Sequence, residues 1–182
     1  MKATSKLRFS FLILVLVIFL SGCSSSSKAN IKVTEDNINY LIEYDESLQG
    51  YITEMTSILT NFNNSLDGLY TQEVSNSQFT TIMKETIKKS NELVSNVEAL
   101  DVNPELFEAH QNLIVLVNRS HQLLLTAIES ANNSSTDEYA TIDKDTLRQE
   151  YIEIKKEQAN TANQWKILRE ELASAAMEEV KE

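Results

Sequence analysis

The scarcity of helix-breaking residues constrains the fold of this chain more than any other feature of its sequence. Among residues 24–182, only Gly50, Gly68 and Pro104 are of the two types that usually interrupt regular structure. Folds built from many short strands need frequent turns, and glycine and proline supply most of them. The sequence therefore predicts an all-α fold made of a few long helices.

Apolar residues recur at alternating steps of three and four in four segments, which is typical of helices that pack against other helices. The first helix is expected to begin near Thr34, with Val33 and Ile38 spaced as a hydrophobic staple. Ser75 and Gln78 match a capping box at the start of the second helix. The fourth helix is expected to begin near Asp143.

The third segment begins after Asn103 and Pro104, which suit an N-cap and the first helical position. It is expected to end near Ala131. Both histidines of the chain fall on its apolar stripe, which comprises Phe107, His110, Ile114, Val117, His121, Leu124, Ile128 and Ala131.

Short connections between amphipathic helices favour an antiparallel up-down-up-down four-helix bundle over residues 34–182. Gly68 suits the end of the first helix, and Gly50 lies inside it, where a bend is conceivable. If the first helix broke early, a long three-helix coil would form instead. One end of the bundle would carry Leu69–Ser77 and Asn132–Asp143, and the other would carry residues 100–104.

The N-terminal segment has a different character from the rest of the chain. Basic residues Lys2, Lys6 and Arg8 precede an uninterrupted apolar run, Phe11–Leu20. A membrane-spanning helix needs about 20 apolar residues, so this run is too short to span a bilayer. Its length and its basic flank are typical of a secretory signal peptide.

The residues that end this run, Leu20-Ser21-Gly22-Cys23, resemble the lipobox of bacterial lipoprotein signal peptides. The resemblance implies that the Cys23 thiol receives a diacylglyceryl group and that cleavage leaves Cys23 as the first residue. Residues 1–22 would then be the signal peptide and residues 23–33 a short flexible tether.

The same resemblance implies a location. The domain would be anchored in the cell membrane, on its extracytoplasmic face, because two acyl chains hold a protein stably at a bilayer. In a Gram-negative source the outer membrane is the alternative, since Ser24 is not the Asp associated with inner-membrane retention. Cys23 is the only cysteine, so no disulfide is expected.

Charge argues against two classes of partner. Residues 1–22 hold three of the 16 basic residues and none of the 27 acidic ones, so the remainder carries a net charge of −14. Val33–Met83 contains eight acidic residues and no basic one. Nucleic acids and anionic lipid headgroups would be repelled. The acidic stretch is either a solvated face or a patch for a basic partner or loosely held cations.

The two histidines do not predict a metal site. His110 and His121 are 11 residues apart, or roughly 16 Å along a helix, which is too far to share one ion. Antiparallel register predicts His121 beside residues 83–86 and 154–158. A polar layer inside the core is therefore predicted, comprising His121, Thr86, Ser90, Gln158 and Thr161. Such a layer either fixes helix register or lines a pocket for a small ligand.

Two further residues carry specific expectations. Asp45 interrupts the stripe of the first helix and is expected to be solvated at the rim, near Asp101. Trp165, the single tryptophan, is expected in the core with His110 as a possible neighbour.

No pattern in the sequence predicts an enzyme, a metal site or a cofactor. It contains no Gly-x-Ser-x-Gly motif and no Gly-rich phosphate loop. The leading hypothesis is a membrane-anchored helical module that binds or scaffolds another protein through Leu69–Ser77 and Asn132–Asp143. The alternatives are a lipoprotein that binds a small ligand or metal at the polar layer, and a purely structural role. Apolar residues that recur at steps of three and four along a whole helix are also compatible with a dimer of the chain.

Overall fold

The structure is a computed structural model that describes residues 33–136 and 141–179, except for the side chains of residues 135, 136, 171, 172 and 175–179. It is an all-α four-helix bundle, which confirms the predicted fold class. The predicted signal peptide, Cys23 and the rest of the predicted tether up to residue 32 lie outside the described residues. The helices are α1 (Ile38–Thr71), α2 (Asn76–Ala99), α3 (Phe107–Thr136) and α4 (Lys144–Glu179), with a 3-10 turn, Pro104–Leu106, before α3.

Each helix packs against the helices that precede and follow it in the chain, and α4 closes the bundle against α1. Contacts between side chains of α2 and α3 show how these two helices run relative to each other. Asn76 contacts Ser134, whereas Val97 near the other end of α2 accepts from His110, so α2 and α3 are antiparallel. We name the two ends of the bundle by their connections: the Ser75 end, between α1 and α2, and the Pro104 end, between α2 and α3.

Helix α1 begins four residues later than predicted. The Thr34 N–H donates to Asn37 Oδ1 at 2.8 Å, and the Thr34 carbonyl accepts from the N–H groups of Asn37 and Ile38. Asparagine side chains compete for local backbone groups in this way and favour a turn over a helix. The predicted start of this helix near Thr34 is therefore wrong, and Asn37 is its N-cap.

The connection between α1 and α2 confirms the predicted capping box. Ser75 Oγ accepts from the Gln78 N–H, and Gln78 Oε1 accepts from the Ser75 N–H at 2.9 Å. Gly68 does not end α1, which continues to Thr71 and stops where Gln72 adopts the left-handed conformation with φ 62°. Gly68 instead admits Val74, because a Cβ there would lie 2.4 Å from the Val74 Cγ2 atom.

The buried surface of α3 is rotated from the predicted stripe. Phe107 is 57% exposed, while Leu106 in the 3-10 turn is fully buried. The residues that share a face within α3 are set by its own period of 3.6 residues, so packing has turned the whole helix about its axis relative to the predicted stripe. The core face therefore also includes Leu113, Leu116 and Leu123.

The ends of α3 and α4 only partly match the predictions. Helix α3 continues to Thr136, so the loop expected from Asn132 is shorter than predicted. Helix α4 begins at Lys144, as expected, and Asp143 Oδ1 accepts from the Thr146 N–H at 3.0 Å. Residues 137–140 of the predicted loop lie outside the described residues.

Candidate functional site: buried polar clusters of the bundle

His121 and Ser90 join α3 to α2 in the middle of the bundle. The His121 Nδ1 and Ser90 Oγ atoms lie 3.1 Å apart, with Ser90 buried and His121 half-buried. Burial lowers the pKa of His121 below its ordinary value, which favours the neutral ring. The contact lies about one turn beyond the predicted residues 83–86, because the 3-10 turn moves the reversal of the chain toward residue 105.

Thr86 and Thr161 are both buried, as expected of a polar layer in the core. The Thr86 hydroxyl donates to the Ile82 carbonyl at 2.8 Å, so its hydrogen bond is made within α2. A threonine that bonds back to its own helix is satisfied without a partner from another helix.

Gln158 joins α4 to α1 rather than to His121. Its Nε2 donates to the Thr56 Oγ1 at 2.8 Å, and its Oε1 accepts from Lys155. Thr56 was not among the predicted residues. The hydrogen bonds of the predicted layer therefore form two groups, Ser90–His121 between α2 and α3 and Gln158–Thr56 between α1 and α4.

A second cluster, at the Pro104 end, was not predicted as a unit. Tyr44 of α1 and His110 of α3 are both buried, and the Tyr44 oxygen lies 3.0 Å from His110 Nδ1. His110 Nε2 lies 2.9 Å from the Val97 carbonyl, which can only accept. Nε2 therefore carries the proton, Nδ1 is the acceptor, and Tyr44 donates. Burial lowers the pKa of His110 and raises that of Tyr44, so both stay neutral.

Trp165 extends this cluster to α4. It is buried, which confirms its predicted place in the core, and its ring lies 5.1 Å from that of Tyr44. Tyr44 thus contacts both Trp165 and His110, whose ring lies 5.9 Å from that of Tyr44. Among the described side chains, none accepts a hydrogen bond from Trp165 Nε1. Tyr44 therefore connects α1 to both α3 and α4.

Asp45 is not solvated, so that expectation is wrong. It is 8% exposed, its Oδ1 accepts from Arg169 Nε at 2.9 Å, and its Oδ2 accepts from Gln49. A buried carboxylate needs a cation or several donors. Its position inside an apolar stripe was the sequence signal that such a cation exists, but only the α1–α4 register identifies Arg169.

The Ser75 end carries an exposed cluster of aromatic and charged residues. The Tyr70 hydroxyl donates to Asp145 Oδ1 at 2.6 Å, and Lys144 and Arg148 lie 4.9 and 5.5 Å from the centre of its ring. The hydrogen bond to Asp145 raises the pKa of Tyr70. Arg148 also pairs with Asp67. These contacts join α1 to α4 beside the loops predicted to bind a partner.

A groove of about 600 Å³ runs between α1 and α2. Gly50 lies in it, and a Cβ at that position would meet no atom within 4 Å. Helix α1 is continuous through Gly50. The lining side chains are polar, and they are Gln49, Thr53, Glu54, Ser57, Lys89 and Glu92.

Searches for two other kinds of feature found none within residues 33–136 and 141–179. No helix there is long and apolar enough to cross a bilayer. No three His, Cys, Asp or Glu side chains in that part of the chain are grouped to hold a metal ion.

Comparison of the chain with protein-family models found no match, and comparisons with curated proteins and with solved structures found none either.

Proposed function

We propose that this protein is an extracytoplasmic lipoprotein whose helical bundle binds or scaffolds another protein near the membrane. The observation that carries the proposal is Leu20-Ser21-Gly22-Cys23 at the end of a short apolar run with a basic flank. A diacylglyceryl group on Cys23 would tether the bundle by about ten residues of small and polar side chains.

The architecture supports a presenting role. Helix α1 begins at the Pro104 end, so the tether would join the bundle there. At 1.5 Å per residue, the 34 residues of α1 extend roughly 50 Å to the Ser75 end. Side chains at that end include exposed Tyr70, Gln72 and Glu73. An aromatic residue flanked by charges of both signs suits a polar protein partner.

Membrane fractionation with mass spectrometry tests the anchor. In the native host, we expect wild-type protein in the membrane fraction with a mass that fits cleavage before Cys23 plus lipid. Cys23→Ala should keep the uncleaved mass or leave the membrane fraction, while the neighbouring control Ser24→Ala should behave as wild type. Unchanged fractionation and mass of Cys23→Ala would overturn the anchor.

Site-specific photocrosslinking in intact cells tests the partner. A photoreactive amino acid replaces exposed Glu73 at the Ser75 end or, as the matched control, exposed Asp101 at the Pro104 end. We expect one recurrent crosslinked protein from position 73 that is missing from position 101. Identical patterns from both positions would contradict binding at the Ser75 end.

A second candidate function is small-ligand binding inside the bundle, and the buried hydroxyl of Ser90 beside His121 favours it. Native mass spectrometry of the full chain in detergent would then show a bound molecule, lost in the double variant Ser90→Ala, His121→Leu. If no molecule is bound and that variant is more stable, the polar residues act on helix register instead.

A further inference from the structure

Helix α3 differs in charge from the rest of the chain. The chain has 43 charged residues among 182, yet the 20 residues of 109–128 contain one, Arg119. Arg119 forms an ion pair with Glu157 of α4. The central part of α3 is therefore nearly free of unpaired charge, on a protein whose net charge is strongly negative.

The outward surface of this helix also carries exposed apolar residues. Phe107, Val115 and Leu125 are 57%, 56% and 40% exposed, and they are three of the six large exposed hydrophobic residues among the described side chains. Gln111 and Gln122 are also exposed and lie on the same face. We call these five residues the α3 line. It covers the 19 residues Phe107–Leu125, or roughly 27 Å along the helix.

The spacing of the α3 line is that of a coiled-coil contact. From Gln111, steps of four, three, four and three lead through Val115, Asn118 and Gln122 to Leu125, which is the alternation of a and d positions. Asn118 is the central residue of this series, and its amide donates to Glu98 of α2 and to the Ile114 carbonyl, each at 3.1 Å, so a hydrogen-bonded carboxylate lies beside the line.

We propose that the α3 line binds a second copy of this chain, in a parallel two-fold pair of α3 helices. Every side chain of the line is compatible with its own copy. The aliphatic and aromatic residues pack against themselves, and a glutamine amide both donates and accepts, so Gln111 and Gln122 can each bond to their counterparts. A carboxylate or an ammonium group opposite its own copy would be repelled.

The parallel direction rests on the proposed function. Two bundles anchored in one membrane are oriented alike, so the two-fold axis lies along the membrane normal and the α3 helices run in the same direction. The contact is isologous, and residue numbers match across it. Elsewhere the acidic surfaces of two copies repel each other.

Such a pair is expected to be weak away from the membrane. One helix face buries less than the roughly 1,600 Å² of a standard stable interface. Confinement of both copies to one bilayer raises their effective concentration, as a linker does for two joined domains.

Cysteine crosslinking of the full chain in native membranes tests the proposal. Val115→Cys and Leu125→Cys are each oxidised and compared with Thr53→Cys, which is exposed on α1, diagonally across the bundle. The wild type controls for Cys23. We expect covalent dimer at positions 115 and 125 at least tenfold above Thr53→Cys and wild type. A yield at either position no higher than in these controls overturns the in-register pair.

Two further variants keep the test decisive. Val115→Lys should abolish crosslinking through Leu125→Cys, because it sets two ammonium groups opposite each other, whereas Thr53→Lys should leave that crosslink intact. Crosslinking that survives Val115→Lys contradicts the proposal. Membrane fractionation of the same samples measures membrane attachment separately. A chain that is attached but does not pair can therefore be told apart from a chain that is not attached.

Discussion

Tyr44 and Tyr70 lie on the same helix and both connect α1 to other helices, but in opposite environments. Tyr44 is 3% exposed at the Pro104 end, where its hydroxyl donates to a neutral histidine and its ring packs on Trp165. Tyr70 is 41% exposed at the Ser75 end, where its hydroxyl donates to the Asp145 carboxylate and its ring contacts the cations of Lys144 and Arg148.

The difference shows how burial selects the partner. A charge inside the core costs several kcal/mol unless it is fully paired, so the buried tyrosine takes a neutral acceptor. At the surface, water screens charges and a carboxylate is an inexpensive acceptor. The Pro104 end is therefore held by packing, by neutral hydrogen bonds and by one part-buried ion pair, Asp45–Arg169. The polar contacts around Tyr70 at the Ser75 end are exposed and therefore weak, which suits the partner binding proposed there.

The largest expected difference in stability between the two ends comes from removing one aromatic side chain at each end. Trp165→Ala should lower the free energy of unfolding by about 3–5 kcal/mol, since it opens a large cavity in the core. Tyr70→Ala should have a far smaller effect, because Tyr70 is 41% exposed and its removal opens no enclosed cavity. Urea unfolding followed by circular dichroism measures both. Equal losses would show that the two ends do not differ in this way.

Removal of the tyrosine hydroxyl group alone should show the same difference between the two ends, with a smaller loss of stability. Tyr44→Phe leaves His110 Nδ1 buried without a donor, which should cost about 1–3 kcal/mol of stability. The matched variant Tyr70→Phe frees Asp145 to bond with water and should stay close to wild type. The comparison fails if Tyr44→Phe is as stable as Tyr70→Phe in the same urea titration.

The two ion pairs between α1 and α4 sharpen the comparison further. Arg169→Ala should cost about 1–2 kcal/mol, less than a fully buried pair because the Arg169 side chain is 45% exposed, while that of Asp45 is 11% exposed. Arg148→Ala, which removes the pair with 55% exposed Asp67, should cost about 0–1 kcal/mol. A larger loss of stability in Arg148→Ala than in Arg169→Ala would show that the exposed ion pair stabilises the bundle more than the part-buried one.

Acid should weaken the Pro104 end through His110. Burial lowers its pKa in the folded state, so the unfolded chain takes up the proton first and stability falls as pH decreases below about 6.5. His121 acts in the same direction. Urea midpoints between pH 8 and pH 5 measure the slope. It should shrink in His110→Gln and persist in Tyr70→Phe. An unchanged slope in His110→Gln would assign the dependence to other groups.

The sequence determined the features that depend on neighbouring residues. The steps of three and four and the near absence of glycine and proline specify long amphipathic helices, and the capping box of Ser75 and Gln78 closes within four residues. Burial of Trp165 also followed from its position on a stripe. Each of these is set by local spacing, which the order of residues states directly.

Only the tertiary structure decided which polar groups meet. The Tyr44–His110 bond joins residues 66 apart and the Asp45–Arg169 pair joins residues 124 apart. The connection between α2 and α3, which contains the 3-10 turn Pro104–Leu106, leaves Phe107 exposed and sets His121 beside Ser90 of the predicted layer rather than beside residues 83–86. Register between helices depends on loop conformation and on packing summed over the whole interface. A shift of one turn changes every cross-helix partner, while the stripes that predict the fold remain the same.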